Sequence, residues 1–154
     1  PYTAIGRIVV AEGHVPREDL DYARLRAWLK AHPADAARIM ERNRSYIFFR
    51  EIAGLAPDLG PIGGEGVPLT AGRSIAVDTG YHRYGTPIFI DADLQTGPER
   101  AREPFRHLMI AQDTGSAIKG PARADLFWGT GKEAGSMAGG IKADGTFYVL
   151  IPAP

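Results

Sequence analysis

The sequence predicts a mainly β protein, in which a small β-barrel follows a short helical segment. The 154 residues include 19 Gly and 12 Pro, an abundance that favours many turns. Helix signals are confined to residues 1–44, whereas short apolar segments joined by Gly-rich connections follow from Ser45 onward. Short strands separated by such connections are typical of a small β-barrel.

The N-terminal 44 residues predict two helices and favour a third. Residues 15–19 combine Pro with two acidic side chains, which suit the free N–H groups of a first helical turn. Apolar residues then recur on one face over 20–29, and His32-Pro33 ends that helix. A short helix follows over 34–42, and residues 2–12 favour a helix over a strand.

The rest of the chain predicts five short strands and one helix. The strands are expected at 46–49, 74–77, 86–90, 105–111 and 146–151. Thr130 and Glu133 fit a capping box that opens a helix through Ala138. Asp91 and Asp93 are interpreted as surface turn residues.

Composition and charge exclude several classes of function. Eighteen basic and eighteen acidic residues give a formal net charge of zero, so we expect no nucleic-acid partner. The absence of Cys excludes disulfides and thiol nucleophiles. The four His, at 14, 32, 82 and 107, lack the spacing of metal ligands, so we expect neither a metal nor a cofactor.

Three Asp stand apart because each ends an apolar strand or sits in a Gly-rich turn. They are Asp78, Asp113 and Asp125. A carboxyl group flanked by apolar residues is partly desolvated, which favours the protonated form that a proton donor needs. The alternative is that each Asp caps a turn by accepting backbone N–H groups. Three such residues in one small barrel shift the interpretation toward a functional site.

An aspartic protease is a second hypothesis, because Asp-Thr-Gly occurs at 78–80 and again at 113–115. Paired Asp residues of that kind share a proton and activate water. Only 35 residues separate the two motifs, whereas two complete lobes need far more. A tripeptide is also weak evidence by itself.

Longer ordered segments resemble the 3D domain, a domain named for three Asp that correspond here to Asp78, Asp113 and Asp125. The segments are 66–78 (GVPLTAGRSIAVD), 84–87, 111–120 (AQDTGSAIKG), 123–129 (RADLFWG) and 133–135. Upstream, residues 1–7, 18–20 and 39–50 resemble the membrane-bound lytic murein transglycosylase A (MltA) family. Residues 81–86 and Ser116 depart from the usual pattern of the family.

The resemblance implies a double-psi β-barrel, the 3D domain, with a second domain inserted into it. Residues 1–45 would be the helical end of the inserted domain, and 46–154 the C-terminal part of the barrel. We therefore expect a missing N-terminal segment or a second chain to complete the fold. The family resemblance also implies a periplasmic, outer-membrane-associated protein, held by a lipid anchor upstream of this chain.

The resemblance further implies a lytic transglycosylase that cleaves the β-1,4 bond between N-acetylmuramic acid and N-acetylglucosamine in peptidoglycan and leaves a 1,6-anhydro end. Asp125 corresponds to the catalytic acid and base, and its apolar neighbours should disfavour its ionised form. Asp113 is the expected catalytic partner. Substrate contacts are expected from Asp78, Lys119, Tyr84 and Trp128. The alternative is a non-catalytic 3D domain that only binds the cell wall.

Overall fold

The computed structural model describes residues 2–56, 59–96 and 101–153. Contacts divide the chain into two compact units, Pro1–Ala53 and Gly54–Pro154. The first unit is helical and the second contains a β-sheet. Each unit is therefore described by itself.

The first unit contains three helices around a small apolar core. They are α1 (Ile5–Ala11), α2 (Tyr22–Ala31) and α3 (Pro33–Met40). Ile8, Val9, Val15 and Ile39 are buried between them. All three predicted helices are thus confirmed, including the preference for a helix near residues 2–12.

The start of α2 differs from the prediction. Pro16 and the acidic pair after it form a single 3₁₀ turn, Arg17–Asp19, rather than the first turn of α2. Asp21 is the N-cap residue of α2, and its carboxylate accepts the backbone N–H of Arg24 at 2.7 Å. This cap fixes the first turn of α2 at Tyr22.

The predicted strand at 46–49 is wrong. Residues 43–52 have no regular structure, and the ring of Phe49 is 95% exposed. The aromatic run has the composition of a strand, but a strand also needs a neighbour for its backbone N–H and C=O groups. Among the described residues, no strand of the sheet pairs with this segment.

Over its described residues, the second unit is a five-stranded mixed sheet with one helix. Its elements are β1 (Ser74–Val77), β2 (Pro87–Leu94), β3 (Glu103–Asp113), β4 (Ala124–Leu126), α4 (Gly131–Ala138) and β5 (Gly145–Val149). The strand order is β4-β1-β3-β2-β5, in which only the β1–β3 pair is parallel. Four predicted strands and the predicted helix are confirmed, whereas β4 was not predicted.

Two finer predictions for this unit are wrong. Asp91 and Asp93 lie within β2 rather than in a turn, and Asp91 pairs with Arg106 on β3 at 3.2 Å. Thr130 occupies the N-cap position of α4, but its side chain makes no capping hydrogen bond. The residue therefore marks the helix start without forming the predicted capping box.

One face of the sheet carries the apolar core of the second unit. Its buried side chains come from β1, β2 and β3, and are Ile75, Val77, Ile88, Ile90, Leu94, Phe105, Met109 and Ala111. Ala124, Leu126 and Trp128 pack against this cluster. In the described part of the chain, every helix is too short or too polar to cross a membrane.

Candidate active site

Two of the three predicted Asp lie on the two strands that flank β1. Ala76, on β1, lies opposite Asp113 of β3 and also opposite Asp125 of β4. Residues directly opposite one another in neighbouring strands project to the same face of a sheet. The two Asp therefore share a face, with their Cα atoms roughly 10 Å apart, which is two strand spacings.

A bulge in β3 turns Asp113 toward that face. Ile75 lies opposite Ala111, yet Ala76 lies opposite Asp113, so Gln112 is an extra residue in β3. With regular alternation, Asp113 would share the buried core face of Ala111. The bulge shifts the alternation by one residue and places the carboxylate away from the core.

A surface cavity of about 430 Å³ opens beside the two Asp. Asp113 and Asp125 both line it, together with residues 114–118 and 126–127. Asp113 is half-buried, and its Oδ1 accepts the backbone N–H of Gly64 at 2.9 Å. The cavity is thus lined by one carboxylate that a backbone N–H holds in place and by a second carboxylate on the edge strand β4.

The environment of Asp125 differs from the expected one. The sequence suggested an apolar setting, but the Asp125 side chain is 57% exposed and Arg123 donates to its Oδ1 at 2.8 Å. Ala124 and Leu126 pack against the core, and strand alternation sends the residue between them to the other face. The apolar neighbours in sequence therefore do not bury the carboxylate, although Leu126 and Phe127 line the same cavity.

Asp78 lies apart from the cavity and is almost fully buried. Its Oδ2 accepts the N–H of Gly120 at 2.9 Å and its Oδ1 accepts the N–H of Gly80 at 3.1 Å. These two hydrogen bonds, first that of Gly120, lower the pKa of Asp78 below its ordinary value, and the Lys119 and His82 charges act in the same direction. Asp78 therefore binds two loops of its own chain.

This separation of the two Asp-Thr-Gly motifs does not fit an aspartic protease. Asp113 faces the cavity, whereas both carboxylate oxygens of Asp78 are engaged by backbone N–H groups elsewhere. Paired catalytic Asp must share a proton across a short distance. The protease hypothesis has no support in this geometry.

The three other predicted substrate contacts have different surroundings. Lys119 is exposed and its Nζ lies 3.9 Å from Oδ1 of Asp78. Tyr84 is half-buried beside Gly64, whose N–H binds Asp113. Trp128 packs against the apolar core, and its ring centroid lies 5.8 Å from that of Phe105. None of the three is among the residues that line the cavity.

A glycine pair near the site allows a loop to approach β3 closely. A Cβ added to Gly63 would lie 2.5 Å from the carbonyl oxygen of Gln112, and one added to Gly64 would collide with the hydroxyl of Tyr84. Only glycine allows the loop to approach the bulge this closely. In the sequence, the two consecutive glycines Gly63 and Gly64 are the feature that indicates such a close approach. Within the described ranges, no group of three acidic or His side chains is placed to hold a metal.

The chain is similar to proteins of one family along nearly its whole length. Residues 73–151 match the 3D domain, and residues 1–50 match the MltA specific insert domain. The membrane-bound lytic murein transglycosylase A of Escherichia coli K12 is 31% identical over 99% of this chain, which spans 41% of that relative. The chain thus covers about two fifths of this curated relative.

Solved structures agree with the sequence matches. The membrane-bound lytic murein transglycosylase of Agrobacterium tumefaciens is 42% identical over 98% of this chain and 40% of its own, with a TM-score of 0.80. E. coli MltA with bound chitohexaose is 30% identical over 100% of this chain and 45% of its own, with a TM-score of 0.88. The chain belongs to the membrane-bound lytic murein transglycosylase A family, and its residues 73–151 are a 3D domain.

Proposed function

We propose that this protein is a peptidoglycan lytic transglycosylase, which cleaves the β-1,4 bond between N-acetylmuramic acid and N-acetylglucosamine without water. The observation that supports this most is the pairing of Ala76 with both Asp113 and Asp125, which brings two carboxyl groups to one open cavity. Membership of the MltA family supplies the substrate class, since the curated relatives are named murein transglycosylases.

In the proposed reaction Asp125 acts first as an acid. Its carboxyl proton passes to the glycosidic oxygen as the bond from that oxygen to C1 of the muramyl residue breaks. The exposed position of Asp125 at the cavity leaves it accessible to a glycan.

Asp125 then acts as a base. The C6 hydroxyl of the same muramyl residue attacks C1 and forms the 1,6-anhydro bond, while the Asp125 carboxylate takes the hydroxyl proton. The nucleophile is part of the substrate, so the attack is intramolecular and one carboxyl group suffices. Ordinary glycosidases, by contrast, use two carboxyl groups because water or an enzyme carboxylate attacks.

Asp113 is proposed as the partner of Asp125. The N–H of Gly64 holds its Oδ1 in a fixed orientation at the cavity that Asp125 also lines. Lys119, Tyr84 and Trp128 remain proposed substrate contacts, and Asp78 is proposed to orient the loop that carries Lys119.

The complete enzyme is proposed to contain more than these residues. The chain spans about two fifths of the E. coli relative, and the aromatic segment 46–49 is exposed without a partner strand in the described structure. Both observations support a further segment or a second chain that completes a double-psi β-barrel. The proposed location is the periplasm, with a lipid anchor to the outer membrane outside this chain.

Product analysis tests the proposed activity. Purified peptidoglycan is digested with the complete wild-type protein and with its Asp125→Asn variant, and the soluble fragments are analysed by mass spectrometry. We expect 1,6-anhydromuramyl products from the wild type and a loss of about 10²-fold or more in rate for Asp125→Asn. Asp93→Asn, an exposed Asp on β2, is the matched control and should retain the wild-type rate.

Three results contradict the proposal. Fragments that have gained one water at muramic acid would indicate a hydrolase, and an undiminished rate for Asp125→Asn would exclude that residue as the acid. Binding to insoluble peptidoglycan without release of soluble fragments would instead support a non-catalytic cell-wall-binding 3D domain.

A further inference from the structure

The loop between β3 and β4 joins the two cavity Asp. It runs over 114–123, directly from Asp113 at the end of β3 to Asp125 on β4. Residues 114–118 form part of the cavity lining, and Ile118 is buried. The conformation of this loop therefore sets the shape of the cavity between the two carboxyl groups.

Three hydrogen bonds connect this loop to the end of β1 and the turn that follows it. Thr114 Oγ1 donates to the carbonyl oxygen of Val77 at 2.8 Å, which fixes the start of the loop. Farther along, the N–H of Gly120 donates to Oδ2 of Asp78 at 2.9 Å. The third bond, from a side chain of the 78–82 turn, reaches the residue after Gly120.

That third bond comes from His82. Its Nε2 lies 2.7 Å from the carbonyl oxygen of Pro121, and the residue is only 8% exposed. A carbonyl oxygen can only accept, so Nε2 must carry the hydrogen in this bond. The backbone N–H of His82 also donates to the carbonyl oxygen of Asp78 at 3.0 Å. Hydrogen bonds therefore hold His82 both at its backbone and at the tip of its ring.

We propose that His82 is a positioning residue, which holds the loop 114–121 against the 78–82 turn and so maintains the shape of the cavity that Asp113 and Asp125 line. Without the His82 ring, the Pro121 carbonyl oxygen would lose this donor, and the hydrogen bonds of Thr114 and Gly120 would remain, together with the contact of Lys119 with Asp78. The catalytic consequence rests on the proposed function, whereas the tether itself does not.

Two substitutions distinguish the effect of the hydrogen bond from the effect of side-chain packing. His82→Leu fills the site without a donor, whereas the amide nitrogen of His82→Gln reaches the position of Nε2 and can still donate to Pro121. His107→Gln is the matched control, because His107 is exposed and stacks on Phe105 at the other end of the sheet. If His82→Leu does not fold, His82→Asn replaces it, since its shorter amide does not reach Pro121.

The first measurement is amide hydrogen exchange of the 154-residue protein. We expect the Gly120 amide and the amides of 115–118 to exchange about tenfold faster in His82→Leu than in the wild type, the factor that one net hydrogen bond supplies. His82→Gln and His107→Gln should exchange at close to the wild-type rate. Equal exchange in His82→Leu and the wild type would overturn the tether.

The second measurement is the rate of peptidoglycan cleavage at saturating substrate. We expect His82→Leu to lower kcat about tenfold with a smaller change in KM, and His82→Gln to restore most of it. Failure of His82→Gln to restore kcat would contradict a role for the hydrogen bond. A complete wild-type enzyme, with the segment or chain that completes its fold, would contradict the proposed function if it had no lytic activity, and the exchange rates would still decide whether His82 holds the loop.

Discussion

The turn around Asp78 and the edge strand around Asp125 place the same type of side chain in opposite environments. Asp78 is buried, and backbone N–H groups of Gly80 and Gly120 bind its two oxygens. Asp125 is mostly exposed and carries a single ion pair with Arg123. A carboxylate whose oxygens are both bound by the backbone stabilises loops, whereas one that faces a cavity is free to bind and react.

The largest expected effect that separates the two regions is on thermal stability. Asp78→Asn places an amide NH₂ against a backbone N–H, so a buried donor loses its acceptor. We expect its Tm to fall by about 5–10 °C, whereas Asp125→Asn should change Tm by less than about 2 °C. Thermal unfolding followed by circular dichroism measures both. Equal shifts for the two variants would show that the backbone bonds of Asp78 are not what distinguishes these regions.

The strands of the sheet follow from local sequence, but the site does not. Apolar runs such as 74–77 predict their strands because burial on a sheet favours such residues. The face of the sheet to which Asp113 points, however, depends on the bulge at Gln112. A bulge can be predicted only when the partner strand is known. A count of alternation along the sequence would have placed Asp113 in the core.

Asp125 and the segment 46–49 both show the limit of prediction from neighbouring residues in the sequence. Neighbours in sequence suggested that Asp125 is desolvated, but in a strand the adjacent residues point to the other face. The aromatic run at 46–49 has strand composition, yet the described chain offers it no partner. In both cases long-range pairing decides the outcome, and local pattern cannot supply it.

Acid should remove the stabilisation that Asp78 provides. Hydrogen bonds from Gly120 and Gly80 lower its pKa below the ordinary 3.8, so the folded state binds this proton less readily than the unfolded chain. The contribution is complete above the unfolded value and is lost as the pH falls through the folded pKa. Urea midpoints of the wild type and Asp78→Asn should therefore differ at pH 6 and begin to converge only as the pH falls below about 4, toward the folded pKa. A difference that stays constant as the pH falls from about 4 to about 2 would exclude the ionised carboxylate as its source.

The smallest expected effect lies in the helical unit, at Glu12. A hydrogen bond from Arg38 at 2.8 Å is the main cause that lowers the Glu12 pKa to about 2, and Arg42 and His14 also contact this carboxylate. Its partners are flexible side chains rather than backbone N–H groups, and the two Arg side chains are about half exposed to solvent. Such pairs contribute little and are screened by salt.

We therefore expect Glu12→Gln to lower Tm by less than about 2 °C in dilute buffer, and by nothing measurable in roughly 1 M NaCl. Glu18→Gln, an exposed acid of the same unit, is the control. Both Glu12 and Asp78 have lowered pKa values, but only that of Asp78 arises mainly from backbone donors that hold loops in place. A salt-resistant loss for Glu12→Gln as large as that of Asp78→Asn would mean that side-chain ion pairs fix this protein as firmly as backbone hydrogen bonds do.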